Sequence, residues 1–351
     1  MPDVRLADIA SQIGVSVSTV SRALSAKGHS SSKGQRQIIR VAREMGYGSG
    51  QAASEIGLGK VMIVTVGFTK VEPEDGRELT SIMTSLQENL VGRLVYGAEH
   101  AVAKRGGHLL VSNLPKTNDV VSRIARLAKE AEADGILLSI QGDMGGLDQL
   151  AKLCPVVQIN APLGEIEIDA VASDDFGGIG GAVRRLFSLG HRRIGFWMDI
   201  PPSSSRIERR LDGYRTAMKM RGGYERLYLD ERATGLAFPV RMQRAFDEFR
   251  VDDNRPTAII CANDLFASTV LRMATEQGVR VPEDLSIVGF DNSETCEHTY
   301  PRLSSIDQQL RQMPEIAVGM LVERVAKPNS TPRQLTLSAT LVERETIADI
   351  R

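Results

Sequence analysis

The sequence predicts an α/β protein in two parts, a small all-α head and a larger body of two doubly wound subdomains. Apolar residues recur at helical spacing within the first 45 residues. From Val61 onward, short apolar runs alternate with amphipathic stretches, which is the pattern of parallel strands joined by helices. In addition, 42% of the 351 residues are hydrophobic but only 5% are aromatic. Aliphatic side chains must therefore fill the core, as is typical of parallel sheets covered by helices.

The head is predicted to contain three short helices. The first runs from Leu6 to Ile13 and ends at Gly14. Ser16 is a good N-cap for a second helix over residues 17–24, whose inward face is Val20, Ala23 and Leu24 and whose outward face is Val17, Ser18, Ser21 and Arg22. The third helix covers residues 33–45, with an apolar stripe along one side.

A linker is predicted between the head and the body. Residues 48–60 contain four glycines around a helix-capable stretch at 51–56. Six residues cannot hold a helix alone in water, where about 12 to 15 are marginal. We therefore expect a segment that is disordered by itself and folds on a partner. The predicted domains are a headpiece at 1–47, a linker at 48–60 and a body at 61–351.

The body is predicted to contain nine strands, each a short apolar run. They are Val61–Phe68, His108–Ser112, Gly135–Ile140, Val156–Ile159, Ala170–Ala172, Ile194–Met198, Leu227–Leu229, Ala258–Cys261 and Ser286–Phe290. Nine strands exceed one comfortable sheet, so we expect two similar subdomains with a cleft between the carboxyl ends of their strands. Small ligands bind in such clefts.

Charge is distributed unevenly between the two parts. Residues 1–60 hold eight Lys or Arg against four Asp or Glu, whereas the whole chain has a net charge of −1. A basic head on an acidic body indicates that the head meets a polyanion.

Several protein classes are not supported by the sequence. There is no apolar run near the roughly 20 residues that cross a bilayer, and the N-terminus has no secretory apolar core, so we expect a cytoplasmic protein with no membrane partner. The three cysteines are too far apart for a metal clip and are interpreted as small buried residues. Phosphate-binding, dinucleotide-binding, hydrolase and zinc-protease motifs are missing, so neither an enzyme nor a cofactor or metal is expected.

Four groups of residues resemble those of one protein family. The run 6–24 closely resembles the helix-turn-helix headpiece of the lactose-repressor (LacI/GalR) family of bacterial transcription regulators, and the likeness continues through 45–47. In the body it extends to Leu189–Ile194, Ala262–Asp264 and Val281–Asp291. The resemblance covers nearly the whole chain and implies a periplasmic-binding-protein-like body.

The head has residue types suited to reading DNA. A short exposed helix with Val17, Ser18 and Arg22 on one face can enter a major groove, where Arg pairs with guanine and small apolar groups meet thymine methyls. The resemblance implies that these three residues read bases. It assigns phosphate contacts, or support of them, to Ser16, Thr19, Ser21, Ser31 and Lys33, and it adds Arg5, His29 and Ala53 to the DNA-binding set.

The family has a hinge helix after the head, which pairs with its twin in the minor groove and wedges a leucine between bases. The matching position here is Ile56, which is apolar and of similar volume. The family's usual proline after the tyrosine is absent, because Tyr47 is followed by Gly48. A looser hinge should cost more entropy to order.

From the residues alone, the cleft side chains have ordinary alternatives. Asp291 follows a strand and could belong to a turn or a helix cap, while either Asn263 or Asp264 could cap the helix that they open. Arg210 lies among Arg206 and Arg209, where a solvated basic face is the default interpretation.

The resemblance implies an effector site at these positions. Arg210, Asn263 and Asp291 match the family's ligand-binding residues, and Asn160, Ser139 and Phe176 are further candidates. An arginine, an amide and a carboxylate suit a polyhydroxylated ligand, and sugars are the usual effectors. Leu310 stands where many relatives have a stacking phenylalanine, so Phe68, Phe238 or Phe266 is expected to supply an aromatic surface.

The predicted function is that of a homodimeric transcriptional regulator, in most relatives a repressor. Two heads would bind a pseudo-palindromic double-stranded operator, and a sugar or sugar derivative in the cleft would switch operator affinity. The alternative is a solute receptor of the periplasmic-binding type. That class needs a signal peptide and has no use for a basic helical head.

Overall fold

The computed structural model of the chain describes residues 4–25, 33–45, 58–66, 80–140, 144–160, 168–198, 205–228 and 238–351. Its head contains α1 (Leu6–Ile13), α2 (Val17–Ser25) and α3 (Lys33–Glu44), whose bounds agree with the predicted ones to within one residue. Gly14 ends α1 in the left-handed conformation, with φ of +76°. The three helices share a small core of Ile9, Ala10, Val20, Ala23, Ile38 and Ala42.

The body contains two six-stranded sheets. The strands in chain order are β1 (Lys60–Val66), β2 (His108–Leu114), β3 (Gly135–Ile140), β4 (Val156–Ile159), β5 (Asp169–Ser173), β6 (Arg193–Trp197), β7 (Tyr224–Tyr228), β8 (Ala258–Cys261), β9 (Ser286–Phe290), β10 (Ser304–Asp307), β11 (Gln334–Leu337) and β12 (Thr340–Val342). The helices are α4 (Thr80–Ala103), α5 (Val120–Ala131), α6 (Leu147–Leu153), α7 (Asp175–Ser188), α8 (Ser205–Arg221), α9 (Phe238–Val251), α10 (Asp264–Glu276), α11 (Thr295–His298) and α12 (Met313–Ala326).

The first lobe is built on the sheet with strand order β11-β5-β4-β3-β1-β2, in which every pairing is parallel. Its inner strands β1, β3, β4 and β5 are buried, and two apolar clusters cover its faces. On one face α12 packs against α4, β3, β4 and β5. The second lobe is built on the order β12-β10-β9-β8-β6-β7, with only β12 antiparallel to its neighbour. This is the predicted pair of doubly wound subdomains.

The chain passes between the lobes three times. It leaves the first sheet after β5 and enters α7 of the second lobe, returns after β10 to α12, and crosses again between β11 and β12. All three crossings lie at the carboxyl ends of the strands that precede them. The same edges of the two sheets therefore border the space where a ligand is expected.

Three strands were not predicted, because their stability does not come from their own apolar content. β11 is largely exposed and β12 is short, so both depend on the sheet edge that they join. β10 begins with two buried serines whose polar atoms are satisfied by neighbours. β7 was predicted at Leu227–Leu229 but begins already at Tyr224, and Leu229 lies outside the described residues. Among the described residues, no helix has the length and apolar character to cross a membrane.

Candidate functional site

One face of α2 is open to solvent. Ser16 caps the helix, because its Oγ accepts a hydrogen bond from the backbone N–H of Thr19 at 3.2 Å. Val17 is 46% exposed, and Ser18 and Arg22 are also exposed. The opposite side of the helix is held by Val20, which is fully buried. The face thus offers a guanidinium, hydroxyls and a methyl surface together, the groups that read base edges.

The other predicted DNA contacts are only partly described. Thr19 is exposed next to Ser16, with the two hydroxyl oxygens 2.7 Å apart, and Ser21 is half-buried. Arg5 is exposed before α1, and its backbone N–H donates to the Asp8 carboxylate at 2.7 Å. Lys33 begins α3, but its side chain is outside the described part. His29, Ser31, Ala53 and Ile56 lie outside the described residues.

Arg210 does not lie on a solvated basic face, since it is only 3% exposed. Its Nε donates to Asp175 Oδ1 at 2.9 Å, and its Nη1 donates to the carbonyl oxygen of Ala262. The guanidinium carbon lies 3.6 Å from the centre of the Phe290 ring. The sequence pattern suggested exposure because charged letters dominate α8. In the fold, this turn of the helix faces the carboxyl ends of β8 and β9.

Asp291 follows β9 and faces Arg210. One carboxylate oxygen lies 3.8 Å from Nη2 of Arg210 and accepts a hydrogen bond from Nε2 of Gln308. Burial raises the pKa of Asp291 to about 7, and Arg210 opposes this shift. The backbone has φ of +115°, outside the usual range for a residue other than glycine. It is held by the carbonyl of Ile306, which accepts from the N–H of Asp291 at 2.9 Å.

Asn263 is the residue that caps α10. Its Oδ1 accepts from the backbone N–H of Phe266 at 3.0 Å. Asp264 is instead buried and accepts from Ser305 Oγ, from the N–H of Ser293 and from Cys296 Sγ. The structure thus decides between the two residues that the sequence left open.

Four residues of this region were not selected from the sequence: Asp175, Arg206, Gln308 and Arg93. Arg206 donates to both oxygens of Asp175, at 2.9 and 3.1 Å, and also to Gln308 Oε1. Arg93 of α4 reaches from the first lobe and donates to the carbonyl of Asp291 at 2.9 Å. The i, i+4 spacing of Arg206 and Arg210 could have indicated their shared partner. No sequence signal points to Gln308 or Arg93.

Ser139 and Asn160 lie on the first lobe, at the carboxyl ends of β3 and β4. They are 1% and 4% exposed, and Ser139 Oγ and Asn160 Oδ1 have no hydrogen-bond partner among the described atoms. A buried polar atom without a partner is unfavourable, so these atoms are ready to accept a ligand's hydrogen bonds. Phe176 lies in the first turn of α7 and is 39% exposed.

Of the three phenylalanines expected to supply an aromatic surface, the two that the structure describes are buried. Leu310 is buried in the apolar cluster that α12 forms with the first sheet. Phe238 and Phe266 are buried together, with ring centres 5.4 Å apart. Phe68 lies outside the described residues. The structure thus has an aromatic pair next to the Asn263 cap.

Comparisons with known proteins cover both parts of the chain. The profile described as bacterial regulatory proteins, lacI family, matches residues 5–49, and that of the periplasmic binding protein-like domain matches residues 183–347. The NTD biosynthesis operon regulator NtdR of Bacillus subtilis is 25% identical over 341 residues, 96% of this chain and 98% of the relative. The ribose operon repressor of Haemophilus influenzae is 25% identical over 98% of each chain. The lac repressor dimer bound to operator and the anti-inducer ONPF has a TM-score of 0.64 at 22% identity, over 99% of each chain.

Proposed function

Because this chain is a member of the lacI family of bacterial regulatory proteins, we propose that it represses transcription as a homodimer on a pseudo-palindromic operator. We also propose that a small effector, a sugar or sugar derivative, switches its operator affinity from the cleft between the lobes. The domains assigned to these tasks are the headpiece at 1–47, the linker at 48–60 and the effector-binding and dimerisation body at 61–351.

The open face of α2 supports the DNA-binding part of the proposal more than any other observation. Val17, Ser18 and Arg22 are exposed on a helix whose other side is anchored in the head's core. We assign them to base reading, and Ser16, Thr19 and Ser21 to phosphate contact or its support. Ser31 and Lys33 join the phosphate set, Ile56 is assigned to the minor groove, and Arg5, His29 and Ala53 complete the DNA-binding set.

The cleft residues support an effector rich in hydroxyl groups. Arg210 and Asp291 face each other on the second lobe, with Asn263 one residue beyond the Ala262 carbonyl that Arg210 contacts. Ser139 and Asn160 supply buried polar atoms on the first lobe that have no partner among the described residues. Donors and acceptors on both lobes allow one ligand to hold the cleft closed. Phe176 completes the assigned set.

The relatives support regulation over transport. One matched relative is an operon regulator and the other is the ribose operon repressor, and both cover nearly the whole chain. The structural neighbour bound to operator is a dimer. A solute receptor would share only the body, and the head match at residues 5–49 favours the regulator.

The proposed switch uses the chain's passage between the lobes. An effector that binds one arrangement of the lobes more tightly shifts the molecule toward it, typically with 1 to 3 kcal/mol of coupling. The linker at 48–60 leads directly into β1 of the first lobe. A change in lobe arrangement therefore changes where the two linkers of a dimer begin.

Substitution Arg22→Ala tests the assignment of α2. We expect it to weaken binding to the selected operator by roughly 1 to 3 kcal/mol, because one base-reading side chain is lost. Binding to random DNA should change much less. Fluorescence anisotropy titrations at fixed salt, on an operator selected from genomic fragments, measure both affinities. Arg123→Ala, which removes an exposed arginine from α5, is the matched control. Equal losses on operator and random DNA would contradict base reading by Arg22.

A further inference from the structure

Two arginines on one face of α8 share a single carboxylate. Arg206 and Arg210 are four residues apart, and both donate to Asp175, whose side chain is 2% exposed. Burial by itself would raise the pKa of Asp175, but the two guanidiniums lower it, so this carboxylate is ionised. At this point of the cleft wall, one carboxylate therefore compensates the charge of two guanidiniums only in part.

The second carboxylate of this region, Asp291, adds little negative charge. Asp291 is linked to Arg206 through Gln308, which accepts from the arginine and donates to the carboxylate. Burial brings the pKa of Asp291 to about 7, so it is partly protonated near neutral pH. Arg93 contributes a third guanidinium at the Asp291 carbonyl. Among the described residues, the groups joined in this hydrogen-bonded cluster are three guanidiniums and two carboxylates. Asp264 lies close enough to Asp291 to raise its pKa, but it is not bonded to these arginines.

The other carboxylates nearby are satisfied by neutral donors. Asp264 accepts from Ser305, Ser293 and Cys296. Asp307 accepts from the side chain of Asn292 and the N–H of Gln309, and Asp174 caps α7 through the N–H of Gly177. Their described hydrogen bonds thus run to neutral groups and not to the arginines of α8.

Arg206 is the more accessible member of the pair. Its side chain is 13% exposed, against 4% for Arg210, and its described hydrogen bonds use Nε and Nη2. Burial by itself would lower the pKa of Arg206, but the neighbouring Asp175 carboxylate raises it. Arg206 therefore stays charged. The bidentate contact with Asp175 fixes the plane of the guanidinium. The N–H groups of Nη1, which have no hydrogen-bond partner among the described residues, are the donors left for an acidic oxygen.

We infer that the effector carries an acidic group, a carboxylate or a phosphate, and that Arg206 beside Arg210 selects it. This inference rests on the proposed function, since it takes the cleft as the effector site. A neutral sugar would leave the excess positive charge of the cluster uncompensated when the lobes close around it. An acidic sugar would balance that charge and accept hydrogen bonds from Nη1 of Arg206.

The test compares matched neutral and acidic sugars on the full chain. The probes are glucose, glucuronate and glucose 6-phosphate, ribose and ribose 5-phosphate, with inorganic phosphate as a general anion, all at equal ionic strength. We expect the acidic member of at least one set to raise the melting temperature of the wild-type protein, while its neutral counterpart does not. Whether glucuronate or the sugar phosphates act identifies the acidic group.

Variants of α8 separate recognition from stability. Arg206→Gln should weaken the active acidic probe at least tenfold and remove the preference over the neutral sugar. Arg206→Lys keeps the charge and should retain the preference at reduced affinity, which covers the case in which the glutamine variant folds poorly. Arg209→Gln, on the same helix but outside the shared contact with Asp175, is the matched control and should bind like wild type.

The inference is overturned if a neutral sugar stabilises the protein as strongly as its acidic partner does. It is likewise overturned if no acidic probe has a larger effect on wild type than on Arg206→Gln. Inorganic phosphate alone giving the full effect would also overturn it, because no sugar would then be recognised. Operator binding is measured on the same preparations. Specific operator binding that responds only to neutral sugars leaves the proposed function intact and removes this inference, whereas absence of operator binding removes the proposed function itself.

Discussion

At the scale of single residues, Asp291 is constrained from every side. Its N–H donates to Ile306, its carbonyl accepts from Arg93, and its carboxylate accepts from Gln308 and faces Arg210. A residue with φ of +115° persists only when its surroundings over-determine it. These contacts come from both lobes, so the conformation of Asp291 depends on groups from each of them.

Substitution Asp291→Asn should change how stability depends on pH. The raised pKa of Asp291, about 7, means that the folded protein binds this proton more tightly than the unfolded chain does. The resulting stabilisation is complete below the ordinary carboxyl pKa near 4 and is lost as pH rises to 7. The asparagine variant has no charge to bury. Its free energy of unfolding, relative to that of wild type, should therefore rise by on the order of 2 kcal/mol as the pH increases from 5 to 8.

Thermal melts without effector at pH 5 and pH 8 measure this gain. Asp212→Asn, at an exposed position of α8, is the control and should show no such trend. A melting-temperature difference between Asp291→Asn and wild type that is the same at both pH values would contradict the assigned titration.

The candidate cleft residues that could be selected from the sequence are those that adjoin recognisable motifs. Arg210, Asn263 and Asp291 could be selected because each stands in a recognisable run. Gln308 and Arg93 could not, since the Arg93 bond to Asp291 joins positions 198 residues apart. Arg206 was missed for another reason: a helix rich in charge gives no indication of which of its faces is covered.

At the scale of elements, α7 and α8 approach closely because of one glycine. A Cβ atom on Gly213 of α8 would lie 2.5 Å from the carbonyl oxygen of Phe176 in α7. That atom belongs to the backbone and cannot turn away. Since α7 carries Asp175 and α8 carries Arg210, the same close packing sets their distance.

Substitution Gly213→Ala should destabilise the protein. The clash with backbone should cost about 1 to 3 kcal/mol, which outweighs the gain of up to about 1 kcal/mol from alanine's helix propensity. Gly180→Ala in α7 is the matched control, because its Cβ would meet only a side-chain atom of Arg184 at 3.7 Å. That variant should be as stable as wild type or more so. Urea denaturation of both variants measures the difference, and equal stability would show that the two helices separate freely.

Helices and strands could be predicted where the apolar pattern of their own residues is sufficient to specify them. The three head helices and the buried strands β3, β4, β8 and β9 follow from apolar periodicity, and the predicted bounds agree with the structure. The edge strands β11 and β12 were not predictable, because an exposed strand with polar letters exists only through the partner that it pairs with. β10 was missed because it begins with two serines, which are polar in the sequence but buried in the structure.

At the scale of the whole molecule, neither lobe is a continuous piece of chain. The apolar face of the first sheet, including Leu137, Val157 and Val171, is covered by α12, which follows β6 to β10 of the second lobe in the chain. The first lobe is therefore complete only after most of the chain has been made.

A fragment of residues 58–174 should fail to fold cooperatively. Without α12 it would expose the face of the first sheet to water, and it should bind a hydrophobic dye and lack a sharp thermal transition by circular dichroism. The comparison is the same fragment joined through a flexible linker to residues 309–338, which restores α12 and β11. That version should melt cooperatively. A sharp transition without dye binding in the shorter fragment would show that α12 is dispensable.

The position of the crossings also decides how a small rotation is transmitted. All three lie at one edge of the sheets, and the last spans only residues 338 and 339, whereas Leu58 precedes the opposite end of β1. Strand β1 has seven residues. At about 3.3 Å per residue it forms a lever arm of roughly 23 Å, so each 10° of turning about the crossings displaces its far end by about 4 Å. In the proposed dimer the two displacements would add, so that a slight movement around an effector would produce a large change in the separation of the heads.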